Sequence, residues 1–329
     1  MKPRVVAFAH RLWYRRSPLA LLFLPFSLLF GIIAATRRAA YRRGLLKREH
    51  LAVPVIVVGN LVAGGAGKTP LVLWLVAQLR ARGWRPGILS RGYQGQNETP
   101  RAVLSGADPV EVGDEPALLA ERSGVPVWIG RRRVAAGRAL LAAHPQCNVL
   151  VCDDGLQHYA LVRDFEIAVE DERGMGNGRL LPAGPLREAA SRRVDATVTN
   201  GTQRAGAYAM RFDVAGFYPI HDPEQSVSLG DLRAKRLHAV AGIGNPERFF
   251  RQLEALGLRF VAHAFPDHHR YRSEDLRFDD CDTVLMTEKD AVKCRAFGRT
   301  DLVALRIEAV VDPALADLIE TRLHGSATA

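Results

Sequence analysis

With 329 residues, 48% of them apolar and 24% charged, the chain is long enough for two packed domains and too hydrophobic for a disordered, collagenous or coiled-coil protein. Its net charge of +10 is concentrated at the front, because residues 1–50 hold eleven Lys or Arg against one acid, Glu49, and the remainder is balanced. A general nucleic-acid footprint is therefore not expected, and the basic character belongs to the N-terminus.

Residues 18–35, PLALLFLPFSLLFGIIAA, carry no charge and are flanked by Trp13, Tyr14, Arg15 and Arg16 before and Arg37, Arg38, Arg42 and Arg43 after. As a helix this stretch is about 27 Å long, near the lower limit for a bilayer core of about 30 Å. Aromatic and basic edges suit a membrane interface, and the absence of any polar face argues against an ordinary core helix. Pro25 and Gly31 leave spanning and re-entrant forms both open. The four cysteines, Cys147, Cys152, Cys281 and Cys294, have no CxxC or Cys/His spacing, which fits a reduced cytosolic body.

From Val53 the pattern changes to short apolar runs alternating with helical stretches. VPVIVVGN (53–60) reads as a buried strand and TPLVLWLVAQLRARG (69–83) as a helix closed by Gly83. A strand through Ile88 and Leu89, a helix in DEPALLAERSG, the strand VPVWIG, the helix RRRVAAGRALLAAHP and the strands NVLVCDDG, DFEIAVED and ATVTNG follow. This alternation predicts a doubly wound, mainly parallel α/β sheet over residues 51–201. Residues 202–228 read as a β linker, with AYAMRFDVAGFYPI as two extended pieces turning at Ala215 and Gly216. Residues 229–329 read as a second, smaller α/β domain: strand, turn and helix in LHAVAGIGNPERFFRQLEALG, strand and loop in RFVAHAFPDH, strand and helix in CDTVLMTEKDAVKC. Residues 1–50 form the membrane-associated front.

The strongest chemical signal is the turn from Gly59 to Thr69, placed between a strand and a helix. Glycines let backbone N–H groups and the helix N-terminus face phosphate oxygens, Lys68 reaches the β and γ phosphates, and Thr69 offers a hydroxyl to Mg²⁺. The phosphate-binding residues are accordingly Val62, Ala63, Gly64, Gly65, Ala66, Gly67, Lys68 and Thr69, with Val62 standing where the strict pattern has glycine. The second signal is Asp153-Asp154 at the end of the strand Val149–Cys152, where this fold places its magnesium-holding carboxylate and where paired acids invite a cation. Weaker signals are Asp114 in GDEP, which ordinary helix capping also explains, and His268 in FPDHH, a proton acceptor or a surface residue. Arg131-Arg132-Arg133 opens a helix, an unfavourable end for cations and so a hint of an anionic ligand.

Taken together, VVGNLVAGGAGKTP, SRGY, VGDEPALLA, DDGLQH, LLPAGPLRE, AGIGNPERFF, FPDHHRY and TEKDAVK make the chain resemble, over nearly its whole length, the tetraacyldisaccharide 4′-kinase family of lipid A biosynthesis. The resemblance implies transfer of the ATP γ-phosphate to the 4′ hydroxyl of an acylated glucosamine disaccharide 1-phosphate, at the cytoplasmic face of a bacterial inner membrane. It further implies Asp114 as catalytic base with His268, and Asp153, Asp154 and Glu188 linked with magnesium and catalysis. The expected partners are the glycolipid and membrane lipid, with neither nucleic acid nor an obligate protein partner. A P-loop switch that hydrolyses nucleotide without phosphorylating lipid is the alternative; Thr287-Glu288-Lys289-Asp290 imitates a guanine-reading motif, with its lysine one position late.

Overall fold

The computed structural model describes residues 9, 11–15, 17–92 and 99–327; Arg16 and the tyrosine of SRGY lie outside the described residues. Twelve strands form one continuous sheet in the order β10-β9-β11-β12-β8-β7-β6-β1-β5-β2-β4-β3. Their ranges are β1 Val55–Gly59, β2 Pro86–Ser90, β3 Arg101–Val103, β4 Val127–Ile129, β5 Val149–Asp153, β6 Phe165–Asp171, β7 Ala196–Asn200, β8 Tyr208–Pro219, β9 Leu237–Ala241, β10 Phe260–Ala264, β11 Thr283–Thr287 and β12 Leu302–Val311. Every pairing is parallel except β8 with β12 and β3 with β4.

The first half is a doubly wound α/β layer. β1 and β5 are buried at every residue, as a strand covered on both faces requires. Between β1 and β2 runs a helix, Lys68–Ala81, whose Leu71, Val72, Leu75, Val76 and Leu79 fall on one stripe and are all buried in the core. A helix at Asp114–Ser123 precedes β4, and another at Arg133–Ala143 precedes β5. The second half repeats the layering on a smaller scale, with helices Pro246–Ala255 and Glu288–Cys294 around β9, β10 and β11. Each half keeps its own apolar clusters, Leu71 and Ile167 belonging to the first and Leu253 and Leu285 to the second.

The stretch expected to turn at Ala215 and Gly216 is instead one strand, β8. It pairs with β12 from Met210 to Pro219, and the register slips between Arg306 and Ile307, opposite Gly216 and Val214. Ala215 is thus the extra residue of a bulge, which bends and twists a ribbon without breaking it. The final helix, Ala314–Ala327, returns to the first half: Leu315, Ile319 and Leu323 join the cluster that holds Leu71 and Leu75.

At the front, a 3₁₀ turn over Pro18–Phe23 leads into α1, Leu24–Arg42, with Pro25 in its first turn, where a missing N–H costs nothing. Only 11% of the apolar window is buried, and Leu22, Phe26, Leu28, Leu29, Ile32 and Ile33 are exposed. The contact with the body is narrow. Ser27 Oγ donates to Leu180 O at 2.8 Å and accepts from Ala183 N at 2.9 Å, and Gly31 leaves room for the Leu180 side chain.

Candidate active site

The loop after β1 wraps tightly. Gly67 is left-handed at φ 89° immediately before Lys68, and a Cβ there would stand 2.7 Å from the Phe212 ring and 2.9 Å from Asn200 Nδ2. Asn60, fully buried, donates from Nδ2 to Gly64 O at 2.8 Å and accepts from Lys68 Nζ at 3.4 Å, so one side chain ties the loop to its lysine. Val62 has a structural reason not to be glycine. Its side chain is buried and its backbone bridges Leu186, with Ala63 N donating to Pro185 O at 2.7 Å. Thr69 follows Lys68 in the first turn of the helix, half-buried.

The two aspartates differ sharply. Asp153 ends β5 fully enclosed; its Oδ2 accepts from Ser90 Oγ at 3.3 Å, and its Oδ1 is buried with no hydrogen-bond partner. Burial, then the Glu115 carboxylate, pushes its pKa up to about 7, against the pull of Lys68. Asp154, left-handed at φ 49°, meets Lys68 Nζ at 3.4 Å and Arg187 Nη1 at 3.1 Å. Burial opposes its charge, but Lys68 and Arg187 outweigh burial and hold it down at about 2. A buried, half-satisfied carboxylate close to the P-loop lysine suits Mg²⁺, which takes one or two protein oxygens and completes its shell with phosphate and water. Among the described residues no group of three or more His, Cys, Asp or Glu side chains forms a metal cage.

Glu188 is placed differently from the aspartates. Both its oxygens are engaged: Oε1 accepts from Gln157 Nε2 at 3.0 Å and Arg192 Nη1 at 2.6 Å, and Oε2 accepts from the Tyr159 hydroxyl. It reaches the loop only through Gln157, whose Nε2 also approaches Asn60 O at 3.4 Å.

The second half contributes the other wall. His268, left-handed at φ 59° and held by its N–H on Gly242 O at 3.1 Å, sets Nδ1 3.0 Å from Asp114 Oδ2 across 154 residues of chain. Asp114 opens its helix with no side-chain capping bond at that end, so the acid of GDEP is oriented by the histidine rather than by capping. Lys293 Nζ stands 4.0 Å from the same Oδ2. Beside them Lys289 bridges Glu115 Oε1 at 3.1 Å and Asp267 Oδ1 at 3.7 Å. Glu115 is partly buried, yet Lys289 and then Lys68 overcome that burial and keep it below the usual carboxylate range. A Cβ on Gly244 would lie 3.5 Å from the Gly65 amide nitrogen, so the Gly242–Asn245 turn touches the phosphate loop.

The structure therefore assembles Lys68, Asp153 and Asp154 on one side and Asp114 with His268 on the other. Asn60, Glu115, Arg187, Asp267 and Lys289 join them without having been singled out as site residues; the nearest hint was their adjacency to motif residues. Of the arginine triplet, Arg133 is the one turned inward: it is buried, donates to Gly130 O at 2.7 Å and leaves Nε without a partner. Burial, with Arg133 and other guanidiniums close by, pushes His158 down to about 4, so that imidazole is neutral.

Comparisons with known proteins give the family of the chain. The family described as Tetraacyldisaccharide-1-P 4′-kinase matches residues 19–324. The chain is 53% identical over 317 residues to the tetraacyldisaccharide 4′-kinase of Methylobacillus flagellatus, covering 95% of each chain. It is 53% identical over 327 residues to that of Dechloromonas aromatica, covering 96% of this chain and 97% of the other. Among solved structures it is similar to LpxK from Aquifex aeolicus in complex with ATP, at 31% identity and a TM-score of 0.80, covering 93% of this chain and 99% of that one. The chain belongs to the tetraacyldisaccharide 4′-kinase family.

Proposed function

We infer that the chain is an ATP-dependent kinase that phosphorylates the 4′ hydroxyl of tetraacyldisaccharide 1-phosphate in lipid A biosynthesis. The observation that carries the reading is the Asp114–His268 pair at 3.0 Å, supplied from opposite halves beside a complete phosphate-binding loop. A switch that only hydrolyses nucleotide has no use for such a pair. Lys289, the residue behind the guanine-like TEKD string, is occupied between Glu115 and Asp267.

Backbone N–H groups of residues 64–67 and Lys68 hold and neutralise the ATP phosphates, the largest requirement of phosphoryl transfer, while Val62 and Ala63 tie the start of the loop to residues 185 and 186. Thr69 and Asp153 would hold Mg²⁺, which supplies charge neutralisation at the transferring group. Asp114 Oδ2 accepts from His268 Nδ1–H, leaving Oδ1 to take the proton of the attacking 4′ hydroxyl. Asp154, kept anionic by Lys68 and Arg187, holds the lysine in place. Glu188 acts through Gln157 and Asn60 on that same lysine rather than as a metal ligand. We further read the two halves, split within residues 202–228, as lobes whose approach excludes water, and α1 as lying in the cytoplasmic face of the inner membrane.

The experiment is label transfer from γ-labelled ATP to the disaccharide lipid in detergent micelles. Label in the lipid at the 4′ position is the expected result, and label found only in free phosphate would contradict the reading.

A further inference from the structure

The last turn of α1 does not merge with the body. Between them lies an open cleft of about 320 Å³, whose walls come from segments far apart in the chain. Arg38, Tyr41 and Arg42 of α1, Arg48 of the loop behind it, Tyr159 of the body and Arg322 of the last helix all line it. Of its arginines, Arg322 is paired with Asp195 at 3.3 Å, whereas Arg163 and Arg192 share Glu166 at 2.9 and 2.7 Å. Among the described residues no ion pair engages Arg38, Arg42 or Arg48. Three cations therefore line one small opening without a paired carboxylate: of the acids that share the lining, Glu166 and Asp195 are taken by the other arginines and Asp164 accepts from Val55 N at 2.8 Å.

Its position relative to the apolar face says which anion. Ile33 is the last exposed large apolar residue of α1. At about 1.5 Å per residue, Arg38 lies roughly 8 Å and Arg42 roughly 14 Å further along the axis. A headgroup layer is about 5–8 Å thick on each side of the hydrocarbon, and arginine side chains reach back toward it. The cleft thus opens at phosphate level when the apolar face of α1 is inserted. Toward the catalytic loop it is closed: the Tyr159 hydroxyl bonds Glu188, which is buried and bonded to Gln157 and Arg192.

We propose that this cleft binds the phosphate of an anionic glycerophospholipid from the surrounding bilayer, at a place separate from that of the sugar substrate. The proposal rests on the membrane reading of α1 and not on the kinase reading. Guanidinium forks match phosphate oxygens, and the Tyr41 and Tyr159 rings, 6.0 Å apart with Arg37 over both, give the opening an amphipathic rim.

The test uses the full chain in uncharged detergent micelles, titrated calorimetrically with monomeric dihexanoyl phosphatidylglycerol. Saturable binding is expected, weakened at least tenfold in Arg42→Gln/Arg48→Gln and unchanged in Arg43→Gln/Lys47→Gln, which removes the same charge from this helix end and the loop behind it outside the cleft. On phosphatidylglycerol vesicles, neutralising Arg38, Arg42 and Arg48 together should lower partitioning on the order of 100-fold. Kinase turnover in neutral micelles should stay at the wild-type rate in the Arg42→Gln/Arg48→Gln variant. Equal weakening by both pairs would mean diffuse charge and overturn the proposal. So would displacement of the lipid by the deacylated disaccharide 1-phosphate, which would make the cleft a substrate subsite, or equally tight binding of inorganic phosphate, which would make it a plain anion site.

Discussion

Asp114 and Asp153 are both acids at the ends of short connections, and their surroundings give them opposite duties. Asp114 has one oxygen held by His268 Nδ1 and an ammonium 4.0 Å away, an arrangement that aims the carboxylate. Asp114→Asn should lower kcat about 10²- to 10⁴-fold with the ATP dissociation constant within threefold of wild type, read by steady-state kinetics and calorimetry. Asp153 is the costly residue, being enclosed and lacking a partner on Oδ1. Its pKa in the folded protein, about 7, stands above the ordinary value, so between roughly pH 4 and 7 the folded state binds a proton that the unfolded chain releases. Its effect on stability is therefore unfavourable once pH rises through that window. Asp153→Asn should raise the melting temperature of the ligand-free protein at pH 8, by about 2–4 °C per kcal/mol recovered, and flatten the decline between pH 5 and 8. The same variant should lose the extra thermal shift that Mg²⁺ adds to ATP. A lower melting temperature at pH 8 would show that Asp153 is satisfied without a cation.

At the scale of elements, the P-loop helix is held by apolar burial and entered through a position that only glycine tolerates. Leu75 is 1% exposed, so Leu75→Ala should destabilise by about 2–5 kcal/mol in urea unfolding while sparing residual activity per folded molecule. Gly67→Ala should fold yet bind ATP poorly, because a methyl group at φ 89° meets Phe212 and Asn200. Elements with strong local patterns were legible in the sequence. The run Val149–Asp153 is apolar up to its acid, and the 69–83 stripe has clean helical spacing. β12 was not, since Arg306 and Glu308 interrupt its apolar run and its pairing with β8 is fixed by a partner almost a hundred residues away. Ala215 and Gly216 read as a turn because small residues favour bends; the ladder to β12 turned that bend into a bulge. The chemistry divides the same way. Lys68 and Asp153 announce themselves within short motifs and Asp114 more weakly, whereas Lys289, though it stands in the TEKD string, meets Glu115 across 174 residues, a pairing that no local pattern marks.

For the molecule as a whole, one sheet carries both lobes, and the helices Asp114–Ser123 and Glu288–Cys294 are cross-linked by ion pairs. Arg122 meets Glu288 at 2.5 Å, Lys289 meets Glu115 at 3.1 Å, and Arg295 meets Glu121. Both members of the Lys289–Glu115 pair are largely buried, so Lys289→Met leaves two carboxylates facing each other without a cation. A loss of about 3 kcal/mol is expected in urea unfolding, with a lower kcat, since Asp267 adjoins His268. Stability unchanged in that variant would mean that the lobes are joined by the sheet alone. The central claim is that residues from both lobes meet to take a proton from a sugar hydroxyl while the P-loop holds ATP. Its most direct test is single-turnover rapid quench with enzyme saturated in MgATP, following labelled disaccharide lipid in wild type, Asp114→Asn and His268→Ala. Rapid lipid labelling in wild type and transfer at least a hundredfold slower in Asp114→Asn, with nucleotide still bound, is the expected result; transfer at the wild-type rate in a folded, ATP-loaded Asp114→Asn enzyme would contradict it.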